Sequence, residues 1–234
     1  QDYMRAGWLD RAESLFDELV ENNLHTVPAL RHLLDIYQQE KEWDKAIAVA
    51  RRLDGEGRQS LKPVIAQYHC ELAELALKKS DEHTAGQCLK RALQYDRQCV
   101  RASLLQARLA LHAGNSAAAL KALHQVEEQD IDYLPEVLPV LRECYERTGA
   151  VVELKRHLRS VIDRYSGVSP VLMLSDLIAA AEGPAAAAEF LAEQVRKRPS
   201  VRGLGRLIDL NLAGASGKNK DDMVILHELV VQLL

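Results

Sequence analysis

Four cysteines and eight histidines are the side chains here best suited to metal or redox chemistry. Cys70, Cys88, Cys99 and Cys144 are separated by 18, 11 and 45 residues, and no two make a C-x-x-C pair. That spacing matches neither a zinc knuckle nor a dithiol redox motif. Each cysteine falls in a segment that reads as helix or helix edge, where a free thiol packs as a small apolar group. Unpaired cysteines of this kind suit a reducing compartment. The histidines do no better as ligands. His25 and His32 straddle Pro28, a helix start, and His69 beside Cys70 points another way on a helix. His112 and His124 lie on opposite sides of a turn at Gly114. "GLG" at Gly203–Gly205 lacks the third glycine of a dinucleotide loop, and "DGEG" at Asp54–Gly57 lacks the spaced acids of a calcium loop. The sequence has no G-x-S-x-G, H-E-x-x-H or Walker pattern. The residues therefore predict no catalytic, cofactor or metal site, and no enzyme.

What must position the remaining candidates is a repeat. "GWLDRAESLF" from Gly7 and "EWDKAIAVARRL" from Glu42 run turn, aromatic, Asp, basic residue and Ala in the same order. With the alanine as marker, the series is Ala12, Ala46, Ala85, Ala119, Leu154 and Ala188, in steps of 34, 39, 34, 35 and 34. A period of 34 is that of the tetratricopeptide motif, one helix–turn–helix per repeat. Turn residues Gly7, Gly114, Gly149 and Gly183 precede the marker by five, and Phe16, Leu89, Leu123 and Leu158 follow it by four. Tyr37 and Tyr145 lie nine before theirs. A small residue lets two antiparallel helices cross closely while bulky neighbours fill the flanks. Trp8, Trp43, Tyr37 and Tyr145 are accordingly expected in the core or between repeats.

The period predicts six motif-bearing units and a terminal pair, in one domain over residues 1–234. The first unit keeps only "DYMRA" of its first helix before a second helix, Leu9–Val20. Helix pairs follow at Pro28–Gln39 with Trp43–Leu53, Val64–Lys78 with Glu82–Tyr95, and Val100–Ala113 with Ser116–Glu128. Further pairs are Pro135–Thr148 with Val151–Tyr165, Pro170–Ala181 with Pro184–Arg198, and Val201–Leu212 with Asp221–Leu234. Pro28, Pro135 and Pro170 sit near helix starts, where a missing N–H costs least. The long step holds "DGEGRQSLKP", expected as an extended loop. The fold class is all-α, a right-handed superhelical solenoid of tetratricopeptide repeats, each burying its face against its neighbours.

Such a stack turns its first helices toward a concave face. The positions expected there are Arg31, Asp35, Gln38, Glu71, Glu74, Lys78, Arg101, Arg108, Glu143, Glu146 and Arg147, with Leu104, Leu111 and Met173 as apolar spots. Charged rows beside apolar spots suit a protein or peptide segment. Alternating signs argue against a co-chaperone groove for acidic tails, the alternative non-enzymatic reading. The totals agree: 30 basic against 34 acidic residues, net charge −4, give no electrostatic case for nucleic acid. Apolar residues make up 47% but aromatics only 5%, a bias toward helices. No apolar run approaches the roughly 20 residues of a membrane span, so no membrane contact is expected of this segment. "QDYMRAG" opens inside a motif without an initiator Met, as a piece of a longer protein would. An incompletely partnered first helix would leave Leu15, Phe16 and Leu19 as a surface for pairing with a second copy.

The wording of the repeats is more specific than their period. "QDYMRAGWLDRAESLF", "LLDIYQQEKEWDKAI", "YHCELAELAL" and "VLMLSDLI" resemble the repeat region of the lipopolysaccharide assembly protein B family. The resemblance covers the chain in layout and is strongest in the first 80 or so residues; from Val201 onward it rests on order alone. It implies a Gram-negative protein held at the inner membrane by an N-terminal helix, with its repeats on the cytoplasmic side. It also implies a following rubredoxin-like domain whose four cysteines hold iron or zinc, a role that transfers to no residue of this chain. The family acts as an adaptor that promotes degradation of the lipid A deacetylase LpxC by the membrane protease FtsH. It is also linked to lipopolysaccharide export. FtsH, LpxC and export proteins are thus the partners the resemblance implies.

Overall fold

A computed structural model of the chain describes residues 2–22, 24–56 and 60–214. Among the described residues there are twelve α-helices, one short 3-10 turn at Ile131–Tyr133, and no strand. In order the helices are α1 (Asp2–Glu21), α2 (Thr26–Glu40), α3 (Trp43–Glu56), α4 (Lys62–Lys78), α5 (Glu82–Tyr95), α6 (Val100–His112) and α7 (Ser116–Gln129). They continue with α8 (Leu134–Arg147), α9 (Val151–Arg164), α10 (Ser169–Glu182), α11 (Pro184–Lys197) and α12 (Val201–Gly214). No described helix is long and apolar enough to cross a membrane.

The chain divides into two compact units, Gln1–Asp130 and Ile131–Leu234. In the first, α1 packs on α2, and the hairpins α2/α3, α4/α5 and α6/α7 stack in chain order, with α4 also touching α6. The second unit repeats the scheme with α8/α9, α10/α11 and α12, and with α8 touching α10. Contacts are thus made with the next element or the next first helix, as a stack of thin hairpins requires.

The marker position is closed to solvent wherever it falls in the described core: Ala46, Ala85, Ala119 and Leu154 are fully buried and Ala188 nearly so. Around it the first unit packs Leu30, Leu33, Ile65 and Leu89, and the second packs Leu134, Leu138, Leu141, Leu158, Leu174 and Leu191. At about 25 cal/mol for each Å² of apolar surface withdrawn from water, these side chains supply most of the stabilisation.

The hairpin turns share one geometry. Lys41, Ser80, Gly114, Gly149 and Gly183 each stand five residues before a marker, and each has positive φ, from 58° to 97°. In the first four the following residue donates its amide five residues back: Glu42 to Tyr37 O, Asp81 to Ala76 O, Asn115 to Ala110 O and Ala150 to Tyr145 O. This Schellman closure satisfies carbonyls that the helix end would otherwise leave open. Asp81 and Asn115 then cap α5 and α7, accepting from the amides of Thr84 and Ala118 at 3.0 Å.

Three expectations need correction. Gly7 makes no turn: α1 runs unbroken from Asp2 to Glu21, so "DYMRA" and Leu9–Val20 are one helix. A glycine permits a left-handed turn without imposing one, and its cost inside a helix, about 1 kcal/mol, is small against a run of good helix formers. The long loop is shorter than its composition suggests. Asp54, Gly55 and Glu56 continue α3, while Lys62 and Pro63 already begin α4; between them Asp54 accepts from the Leu61 amide at 2.6 Å. Trp8 stands 69% exposed and Leu15 62% exposed, yet Phe16 and Leu19 pack against the core of α2 and α3. Phe16 stacks on His32 at 4.9 Å, so of the apolar face expected around all three residues only Leu15 stays exposed. The segment from residue 215 onward, with the helix expected at Asp221–Leu234, lies outside the described residues.

Candidate functional site

The first helices of the pairs carry the candidate residues. In the first unit these helices are α2, α4 and α6. Arg101 on α6 reaches back to α4 and binds two carboxylates, Glu71 Oε1 at 2.8 Å and Glu74 Oε1 at 2.7 Å. Glu71 and Glu74 are three apart, so one helical face presents both to the same guanidinium fork. Partial burial works against the charged form, but the bonds to Glu74 and Glu71 outweigh it and hold Arg101 protonated. One turn toward α2, the Gln38 amide donates to the Tyr68 hydroxyl, and Tyr68 stacks on Trp43 at 5.7 Å. Burial raises the Tyr68 hydroxyl above its ordinary range.

Arg31, Asp35, Lys78 and Arg108 are exposed on the same helices, and no hydrogen bond or ion pair engages them among the described residues. The row therefore divides. Glu71, Glu74 and Arg101 are bound to one another across a repeat boundary, while Arg31, Asp35, Lys78 and Arg108 stay exposed. Leu104 and Leu111 on α6 are half-buried. In the second unit the candidates fall on α8. Glu143 and Arg147 face each other one turn apart at 3.8 Å, and Arg142 holds Glu146 at 2.7 Å. Met173 on α10 is half-buried.

Sequence reasoning missed a second cross-repeat bridge. Arg206 on α12 binds Asp176 on α10, with Nη2 at 2.7 Å and Nε at 2.9 Å from one oxygen. It also missed that Cys70 and Cys99 meet. Their sulfurs lie 3.8 Å apart, buried between α4 and the residue that opens α6. The signal that could have found the bridge is a separation of thirty residues, which Asp176 with Arg206 shares with Glu71 and Arg101.

Other contacts bind neighbouring helices together. Glu13 on α1 accepts from Tyr37 at 2.9 Å and from Lys45 at 3.1 Å. Burial opposes ionisation there, but those bonds prevail and lower the Glu13 carboxyl; burial and the same carboxylate push the Tyr37 hydroxyl up. His69, buried on α4, stacks on Tyr95 at 5.5 Å with neither ring nitrogen hydrogen-bonded. Burial, then Arg51 and Arg91, lower it to about 4, so it is neutral in the folded protein. None of these groups converges on a pocket with a nucleophile and a base.

The family model for the tetratricopeptide repeat matches residues 1–60 and 70–132. Lipopolysaccharide assembly protein B of Escherichia coli strain K12 is 34% identical over 231 residues, 98% of this chain and 59% of that protein. The protein of the same name from Haemophilus influenzae is 34% identical over the same share of this chain and 58% of its own length. The chain thus spans about three-fifths of the length of the curated relatives it matches. Among solved structures, that of Pseudomonas aeruginosa pilF covers 96% of this chain and 91% of its own at TM-score 0.42 and 17% identity. MamA covers 82% and 96% at TM-score 0.41 and 13% identity. With its period, its Schellman-closed hairpins, its buried marker residues and this match over more than half its length, the chain belongs to the tetratricopeptide-repeat family.

Proposed function

We propose that the chain is a non-enzymatic adaptor in the control of lipopolysaccharide biosynthesis, and that its first-helix face holds segments of partner proteins. The observation that carries this reading is the 34% identity to lipopolysaccharide assembly protein B over 98% of the chain. The partners we assign are the membrane protease FtsH and its substrate LpxC, met at the cytoplasmic face of the inner membrane, with lipopolysaccharide export proteins as further contacts. An adaptor works by raising the local concentration of substrate beside the protease, so several modest contacts suffice when joined. A scaffold of packed hairpins loses little conformational freedom on binding.

Within the face, the division between paired and unpaired charges assigns roles. Arg31, Asp35, Lys78 and Arg108 read the partner. Glu71, Glu74 and Arg101 hold α4 and α6 in register, and Gln38 does the same for α2 and α4; Glu143 and Arg147 present a self-neutralised stretch on α8. The test is capture of FtsH and of LpxC by charge-reversed variants, Arg31→Glu with Asp35→Lys and, separately, Arg108→Glu. Capture reduced at least several-fold supports the assignment. Undiminished capture of both proteins by folded variants moves the docking surface to the opposite helices.

A further inference from the structure

The geometry points to Cys70 and Cys99 as a reversible oxidation site, a dithiol that hydroperoxides convert to a disulfide linking α4 to the start of α6. The two sulfurs are 3.8 Å apart and belong to successive repeats. A disulfide needs about 2.0 Å between sulfurs, and side-chain rotation with a small closure of the helices supplies the difference. Cys88 and Cys144 are also buried, but neither has a sulfur beside it among the described residues.

The two thiols differ in reactivity. Cys99 is the residue that opens α6. The two sulfurs share a hydrogen bond, and although burial opposes ionisation, that bond, with the Ala102 amide and Arg101, lowers Cys99. The same hydrogen bond, with burial, pushes Cys70 up. Cys99 is therefore the attacking group and Cys70 the resolving one. Gln67, an exposed residue, rests its amide 3.5 Å from the Cys99 sulfur.

The reaction balances with a hydroperoxide as oxidant. The Cys99 thiolate attacks the outer oxygen, the O–O bond breaks, and the leaving alkoxide or hydroxide takes a proton to become an alcohol or water. Cys99 is then a sulfenic acid. The Cys70 sulfur attacks the Cys99 sulfur, the S–O bond breaks, and hydroxide departs as water with the proton from Cys70. Two thiols are oxidised to one disulfide, and one peroxide is reduced. The link lies one residue from Glu71 and two from Arg101, so it acts directly on the ion pair that joins the two repeats.

The test stands apart from the identity of any partner. The native protein is treated with hydrogen peroxide, quenched by alkylation, digested and mapped, with helicity followed by circular dichroism. The expected product is a Cys70–Cys99 linked peptide, lighter by two hydrogens than the free pair and released by dithiothreitol. Cys70→Ser should stop at a Cys99 sulfenic acid trapped by dimedone, whereas Cys99→Ser should give neither link nor adduct. The wild-type map decides the matter even where a variant fails to fold. The assignment is overturned if native protein yields no link at peroxide levels that fully oxidise free cysteine. It is overturned equally if links join Cys88 or Cys144 instead, or if the link forms only in urea.

Discussion

Each unit contains a place where a buried small residue stands immediately before an acid that reaches an arginine on the next first helix. In the first unit Cys70 precedes Glu71, which binds Arg101; in the second Ser175 precedes Asp176, which binds Arg206. The bridges are alike in length, though Arg101 also holds a second acid, Glu74. What lies beneath them differs. Ser175 is buried with its hydroxyl unpartnered, whereas Cys70 meets a second thiol at 3.8 Å. A serine suffices under one bridge, so packing alone does not call for a sulfur under the other. The cores diverge in the same direction. The first unit buries His69 against Tyr95 and places alanine at its markers, while the second begins with Leu154 at the marker and fills its centre with leucines.

The contrast can be broken most severely at the markers. Leu154→Ala should destabilise by about 2–5 kcal/mol, because the cavity left at this fully buried position collapses only in part. Ala85→Leu makes the opposite error in the first unit, forcing α4 and α5 apart at about 1–3 kcal/mol. Urea titrations of both variants measure the two effects, and a neutral result at either position would remove the close-crossing account of the marker.

Acid sharpens the comparison next. His69 is neutral when folded, with its value lowered to about 4, and takes up a proton on unfolding at its ordinary value near 6.5. Stability is therefore complete above pH 6.5 and declines as pH falls toward 4, by at most about 1.4 kcal/mol per pH unit. Hydrogen exchange should show the decline in α3–α5 first, and His69→Leu should remove that component of the slope. A slope unchanged in the variant would assign the acid sensitivity elsewhere.

Smaller effects separate the bridges and the turns. The Arg101 side chain is 35% exposed, so solvent screens its pairs and Arg101→Gln should cost only about 1 kcal/mol. Arg206→Gln breaks a single carboxylate contact and should cost less, about 0.5 kcal/mol. Equal losses would show that the second acid of the first bridge adds nothing. At the turns, Lys41→Gly and Ser80→Gly should stabilise by about 0.5 kcal/mol each, since a side chain at positive φ is strained and glycine is not. Melting curves would detect a change of that size.

The helices were legible because apolar period, proline and glycine agreed along most of the chain. Eleven of the twelve helix starts expected among the described residues, those at Trp43, Glu82, Val100, Val151 and Pro184 among them, lie within two residues of the observed ones. The turns were half legible. Gly114, Gly149 and Gly183 announced themselves, but Lys41 and Ser80 adopt the same backbone because two amides closing on helix carbonyls outweigh the local strain. Gly7 misled for the reverse reason. The candidate site was legible as a set of positions, not as a set of partners. That Arg101 would be held by Glu71 and Glu74, and that Cys99 would meet Cys70, depends on the offset between neighbouring helices, which no single helix encodes.

That offset has its own consequence. The bridges join residues thirty apart in a chain that repeats at 34 or 35 between Ala85 and Ala188. Each ties a point on one helix to a point one turn earlier on the next, as a vernier reads a fixed shortfall between two scales. Inserting a single residue into the hairpin between them would rotate the later helix by about 100° and swing its arginine away from its acid. Whole hairpins could be added or removed with the mechanism intact, but their length is held to the residue wherever a vernier spans them. The longer step of 39 falls where Gln38 and Tyr68, both uncharged, are the pair that joins α2 to α4.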